Sequence, residues 1–295
     1  MKQLTATQIA AWLPNRALNA HKGDFGRVLV VAGSRGMCGA GFLCAKSALV
    51  AGAGLVAWAL PSSMQPAFAA ALPEVITCPL AETPEGLLAS QEELISFCSQ
   101  FNPSILVFGP GMGASPLLIS LTEQLQIPAV VDADGLNALA RLNLSWPANR
   151  PAVFTPHPGE MARLLATGVA GNEQERAEQV RKLADKTGAV AVLKGHRSLV
   201  SCGAELFENT TGGPALAKAG SGDVLSGIIA GLWAQLGSAN GYNNQTALRA
   251  ALCGVYLHGL AGDLAARHQT DFSVLATGTI AHISQAIYSV LQEKK

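Results

Sequence analysis

Charge is scarce in this chain: Asp, Glu, Lys and Arg make up only 14% of 295 residues, and the 20 acidic and 20 basic side chains cancel. That balance offers no basic field, so neither nucleic acid nor an anionic membrane surface is expected as a partner. Cysteine is present but unpatterned. Cys38, Cys44, Cys78, Cys98, Cys202 and Cys253 form no Cys-x-x-Cys pair and no metal-ligand spacing, which argues against a zinc or disulfide framework and for reduced core thiols in a cytoplasmic protein. The longest apolar runs, Ser47 to Leu60 and Val224 to Leu236, are short for a membrane span and broken by glycine. Residues Met1 to Ala10 lack the apolar centre of a signal peptide. No linker, repeat or low-complexity tract divides the chain, so 1–295 is expected to form one domain. The dinucleotide fingerprint Gly-x-Gly-x-x-Gly and the Gly-Lys-Ser/Thr end of a P-loop are both missing, leaving two common nucleotide folds unsupported.

What the chain has is apolar substance: 49% hydrophobic residues, with abundant alanine and glycine. A large core follows, and with so little charge outside it, part of the apolar surface is expected to close in a homo-oligomer, taken as a tetramer. Val28-Leu-Val-Val-Ala-Gly33 reads as a strand buried on both faces. It leads through Ser34–Gly41 into a helix ending near Gly52 and a second strand, Gly54 to Leu60. Such a βαβ unit implies a parallel sheet. Further strands are expected over Glu74–Thr77, Ser104–Phe108, Pro128–Asp132, Pro151–Thr155 and Ala189–Leu193, with a hairpin from Ser198–Ser201 and Ala204–Phe207. Helices are expected within residues 1–20, broken near Pro14, and over Pro84–Gln100, Ser115–Gln126, 160–167, Glu173–Lys186, Val224–Leu236, Gln245–Ala266 and Ser273–Gln292. Glycine-rich or polar motifs follow the strands ending near Gly33, Phe108, Asp132, Thr155 and Leu193, always at the carboxyl end. In an open α/β sheet those ends form one rim, where ligands bind.

The most informative stretch is Asn209-Thr-Thr-Gly-Gly-Pro-Ala-Leu-Ala-Lys-Ala-Gly-Ser-Gly-Asp223, which runs into the apolar helix. Gly220, Ser221 and Gly222 offer backbone N–H groups and a positive helix end to an anion, normally a phosphate. Asp223 stands at the mouth of that anion loop. A carboxylate there either caps the helix or takes a proton from a hydroxyl about to react. A simple cap needs none of the glycines at 212, 213, 220 and 222, which favours the second role. Lys194-Gly-His-Arg-Ser198 places two permanent cations on the same rim, either solvated or in contact with phosphate. His157, between two prolines, either bonds backbone or meets a substrate. Asp132 and Asp134 either hold a magnesium ion through water or cap the next helix. His21, His258, His268 and His282 carry no motif.

These motifs in this order resemble the ADP-dependent NAD(P)H-hydrate dehydratases of the ribokinase-like superfamily, across nearly the whole chain. The resemblance rests on Gly33–Gly41 with Ala51–Val56, Gly109-Pro-Gly-Met-Gly113, Asp132–Asn137, Leu193–His196 and Asn209–Gly227, and most specifically on Thr155-Pro-His-Pro-Gly-Glu160. It implies a three-layer α/β/α fold with a mostly parallel central sheet. It further implies repair of the S form of hydrated NADH or NADPH (NADHX, NADPHX) as ADP becomes AMP and phosphate, with Mg2+. By the same resemblance Ala40, Gly113, His157 and Asp223 would contact the hydrated dinucleotide. Lys194, Gly195, His196, Arg197, Ser198 and Gly222 would hold the adenine nucleotide. Thr211-Gly-Gly-Pro replaces the more usual Thr-Gly-Asn-Pro, and Ala219-Gly replaces a glycine pair; neither removes a reacting group. The epimerase often fused to such enzymes has no counterpart here, so one encoded elsewhere is expected as a companion. Two rivals stand beside this reading. A small-molecule kinase of the superfamily, of the hydroxyethylthiazole or hydroxymethylpyrimidine type, shares the loop, although the full Thr155–Glu160 motif is not expected in the thiazole kinases. A non-catalytic nucleotide-binding protein has no use for Asp223.

Overall fold

Short runs of aliphatic residues, each sealed on both faces, make the centre of the molecule. The computed structural model describes residues 1–293. Its first half runs β1 (Lys2–Gln3), α1 (Ala6–Trp12), β2 (Arg27–Val31), α2 (Cys38–Val50), β3 (Leu55–Pro61), α3 (Gln65–Ala71), β4 (Ile76–Leu80), α4 (Gln91–Phe101), β5 (Ile105–Phe108) and α5 (Leu117–Glu123). Then come β6 (Ala129–Val131), α6 (Ala133–Arg141), β7 (Ala152–Phe154), α7 (Pro158–Leu165), α8 (Glu173–Thr187), β8 (Val190–Leu193), β9 (Leu199–Ser201) and β10 (Leu206–Glu208). Three long helices close the chain: α9 (Ser221–Asn240), α10 (Asn244–His268) and α11 (Ala276–Gln292).

These strands join one sheet in the order β1-β10-β9-β8-β7-β6-β5-β2-β3-β4. Only β9 runs against its neighbours. Alternation along a strand sends successive side chains to opposite faces, and β2 shows the result: Val28 and Val30 enter one core, Leu29 and Val31 the other. Helices α1, α2, α9, α10 and α11 cover the first face, and α4 to α8 the second. The expected three layers are therefore present.

Helices α2 and α9 cross unusually closely because α9 carries Gly227 and Gly231 where they meet. A Cβ on Gly231 would run into the Ala48 carbonyl of α2, which is backbone and cannot rotate away. Gly231→Ala gains about 1 kcal/mol of helix propensity but costs about 1–3 kcal/mol in overpacking. We expect a net loss of stability, read as a Tm several degrees lower in thermal unfolding.

Some expectations need correction. The helix expected over Pro84–Gln100 begins only at Gln91, where the Ser90 hydroxyl accepts from the Glu93 amide at 3.3 Å. Before it the chain makes a turn closed by Gly86 N–H to the Thr83 carbonyl, with Gly86 left-handed at φ +84°. The strand expected at Glu74–Thr77 lies at Ile76–Leu80 and tolerates Pro79 because β4 is an edge. Strand β1 and helix α3 were not expected at all. Among the described residues no helix is long and apolar enough to cross a membrane.

Candidate active site

Strands β8, β7, β6, β5 and β2 are consecutive and parallel. Their five odd turns therefore line one rim, as the motif positions require. Helix α9 begins at the same rim. Its cap, Gly220, is left-handed at φ +86°, and a side chain there would strike Leu43 of α2. Of the loop amides, that of Ser221 is turned back to the Lys218 carbonyl at 3.2 Å. The amides of Gly222 and Asp223 lie in the first turn, where no intrahelical acceptor exists. The loop ahead of them is strapped to α10. Asn209 Nδ2 donates to the Val255 carbonyl at 3.1 Å, Thr211 Oγ1 to the Tyr256 carbonyl at 2.8 Å, and the Gly212 amide to Asp263 Oδ2 at 2.9 Å.

Between this loop, the start of α9, the α10 face and the turn after β8 lies a cavity of about 770 Å³. Lys194, Gly195, His196, Ser198, Ser221 and Gly222 all line it. Arg197 is not among the lining residues: it sits at φ +51° with its guanidinium 3.5 Å from Glu208 Oε1. The turn itself is held from α8, where Arg176 Nη2 donates to the carbonyls of His196 (3.1 Å) and Arg197 (3.3 Å). His258, which no motif marks, also lines the cavity, its Nε2 3.2 Å from Ser221 Oγ. Burial pushes it down to about 4, so it is a neutral imidazole at physiological pH. Its only sequence signal was a polar residue on an otherwise apolar helical face.

Beside the cavity sits a compact charge cluster. Lys194 Nζ is 2.6 Å from Asp132 Oδ1 and 3.9 Å from Glu160 Oε2. Burial works to lower the Lys194 ammonium, but the two carboxylates outweigh it and leave it raised. Glu160, itself buried, is raised by desolvation in spite of Lys194. Asp223 is pushed up to about 6, first by burial and then by Asp132, against the pull of Lys194. A carboxylate tuned this way is still ionised at neutral pH and is a stronger base than an ordinary aspartate.

Asp132 caps α6, accepting from the Ala133 amide at 2.9 Å, and its other oxygen accepts from Ser226 Oγ at 2.8 Å. Asp134 instead accepts from the Gly113 amide at 2.7 Å. The two carboxylates are thus engaged separately, and no group of three His, Cys, Asp or Glu able to hold a metal occurs among the described residues. Asp132 therefore caps α6, whereas Asp134 ties the turn after β5 to the first turn of that helix. His157 caps α7: its Nδ1 accepts from the Gly159 amide at 3.0 Å while Nε2 lies 3.3 Å from Glu160 Oε1. Its side chain is half exposed on the rim, so both of its expected roles have a place. Ala40 packs beside Gly111 at the start of α2, where a Cβ on Gly111 would meet it at 3.0 Å. Ala40, Gly113 and His157 are absent from the cavity lining; Ala40 is in the first turn of α2, Gly113 in the turn after β5 and His157 in the turn after β7.

A mostly parallel sheet between two helical layers, with a glycine loop delivering an aspartate to the first turn of a rim helix, defines a ribokinase-like α/β protein. Residues 28–285 match the model of the NAD(P)H-hydrate dehydratase family, and the chain belongs to that family. It is 41% identical over 98% of its length to the bifunctional NAD(P)H-hydrate repair enzyme of Moorella thermoacetica, covering 54% of that protein. The chain thus spans about half the length of the bifunctional relatives it matches. It is 38% identical to the ADP-dependent (S)-NAD(P)H-hydrate dehydratase of Neisseria meningitidis, over 90% of this chain and 86% of that one. The crystal structure of an ADP/ATP-dependent NAD(P)H-hydrate dehydratase from Bacillus subtilis, co-crystallised with ATP/Mg2+, superposes with a TM-score of 0.81 at 25% identity, covering 98% of each chain.

Proposed function

We propose that this chain returns the S forms of NADHX and NADPHX to NADH and NADPH, consuming ADP and releasing AMP and phosphate. The observation that carries this reading is the place of Asp223 in the first turn of α9 beside the glycine loop, where burial pushes its carboxyl up to about 6. The adenine nucleotide occupies the cavity at Lys194, Gly195, His196, Ser198 and Gly222, with Arg197 reaching it on release from Glu208. The hydrated ring approaches from the Ala40, Gly113 and His157 side.

A ring hydroxyl leaves poorly, and phosphorylation makes its loss easy. Asp223 accepts the hydroxyl proton as the oxygen takes the terminal phosphoryl group of ADP. Loop amides and the α9 end stabilise the charge in transit. Loss of phosphate, with a proton from the neighbouring ring carbon, restores the dihydropyridine. Magnesium would arrive on the nucleotide phosphates, as this hard cation often does. An epimerase acting on the R form is the natural companion, as the bifunctional relatives suggest. Tyr288 and Leu291 stand exposed on α11, apolar surface that a homo-oligomer, a tetramer on this reading, would cover.

The test mixes purified protein with S-NADHX, magnesium and ADP, and follows NADH absorbance with AMP and phosphate. Recovery of NADH with equal amounts of AMP and phosphate is expected. A stable phosphorylated product from a small alcohol, with no NADH recovered, would instead establish a kinase.

A further inference from the structure

We propose that the groove between α6 and α7 holds the 2′-phosphate of NADPHX and that Arg141 and Arg163 are its recognition residues. This deepens the dehydratase reading and rests on it. The groove is a second concavity of about 530 Å³, lined by Asn137, Ala140, Arg141 and Arg163. It lies apart from the nucleotide cavity, on the opposite helical layer, so ADP bound at Lys194 and Gly222 leaves it open.

Position connects it to the reacting ring. Helix α6 starts at Asp132 and α7 at His157, both on the rim. Arg163 lies six residues beyond His157, and Arg141 nine beyond Asp132, so at about 1.5 Å rise per residue both sit roughly 9–14 Å down from the rim. A dinucleotide with its hydrated ring at Asp223 and its chain crossing His157 is led to this groove, and its far nucleoside is the half that carries the extra phosphate of NADPHX.

The chemistry suits a phosphate dianion. Arg163 Nε donates to Asn137 Oδ1 at 3.0 Å, which fixes the guanidinium plane and leaves its outer edge free. The Arg141 side chain makes no hydrogen bond or ion pair among the described residues, and no carboxylate lines the groove to compete. Two guanidinium groups lining one opening suit a phosphate, and an arginine is the usual means of accommodating a 2′-phosphate in dinucleotide sites. Solvated surface arginines on helices need neither an orienting asparagine nor a shared concavity.

The experiment has two arms. The first measures kcat/KM with NADPHX and with NADHX for the wild type, Arg141→Ala and Arg163→Ala. Each variant is expected to lower the NADPHX-to-NADHX ratio about tenfold or more, the loss of a charge-assisted phosphate contact. An unchanged ratio overturns the assignment. The second arm measures binding of 2′-phospho-ADP-ribose and ADP-ribose by calorimetry and needs no turnover. Tighter binding of the phosphorylated compound, abolished in the variants, supports the groove; equal binding of the two, lost together, would place the pyrophosphate there instead and overturn it. A wild type that converts neither hydrate refutes the dehydratase reading, and the calorimetry still decides the groove. The Arg141 side chain holds no hydrogen bond or ion pair among the described residues that its loss would break, and Arg163→Lys keeps the charge while removing the fork, so a folding defect cannot decide the outcome.

Discussion

Asp223→Asn is expected to reduce kcat for NADHX by about 10²- to 10⁴-fold, the range over which a positioned base contributes, while ADP binds as in the wild type. The amide keeps the shape of the carboxylate and its place in α9 but cannot take the proton. The wild-type pH profile should carry the same signature. Asp223 is held up to about 6 by burial and by Asp132, so activity should fall as pH drops through about 6 and be complete above it. Folding responds with the opposite sign. A carboxyl raised in the folded state disfavours its own ionisation, so it weakens the fold increasingly from about pH 4 to about pH 6 and fully above that. At pH 8 the asparagine variant should therefore melt no lower than wild type. Calorimetric ADP binding, steady-state kinetics and melting together check this; near-normal turnover would remove Asp223 from the base role.

Lys194→Met is expected to do the largest structural damage of any single change at the site. Asp132 is 1% exposed and relies on Lys194 at 2.6 Å. Without the ammonium a buried carboxylate is left with only the Ala133 amide and the Ser226 hydroxyl, a situation that costs about 3–5 kcal/mol. In a protein of this size that is a fall in Tm of roughly 10 °C. Lys194 also pulls Asp223 down, so any remaining activity should show its acid limb at higher pH. Adding Asp132→Asn should recover much of the lost stability, because the stranded charge disappears. A single variant as stable as the wild type would mean that solvent already reaches Asp132.

Much of this molecule was legible in its sequence because its strands are short, apolar and punctuated. The run Val28–Ala32 followed by Gly33 leaves no reading except a strand sealed on both faces, and the five carboxyl-end turns could then be placed on one rim. Elements whose pattern is set by position in the sheet were harder. Strand β1 is two residues long and exists because it pairs with β10, a contact some two hundred residues away in sequence. Helix α3 has a proline in its first turn and no buried residues, so it lacks the apolar stripe that announces a helix. At the site, the glycine loop and Lys194 declared themselves through local chemistry. His258 and Asp263 did not, because their function comes from tertiary approach: one meets Ser221, the other the Gly212 amide. The partition of the two acidic residues after β6 was likewise undecidable from spacing, since Asp132 finds Lys194 and Ser226 while Asp134 finds Gly113.

The loop from Asn209 to Gly213 hangs from α10, whereas Ala40, Gly113 and His157 sit in the turns and helix starts that follow β2, β5 and β7. The proposed donor grip and acceptor grip are thus built from separate parts of the chain. On the proposed reading one half can change without the other: rewriting those turns should alter what is phosphorylated and leave the phosphoryl source untouched. A library confined to those turns should yield new acceptors without loss of nucleotide binding, and that makes this scaffold a starting point for engineering other activated-hydroxyl chemistry.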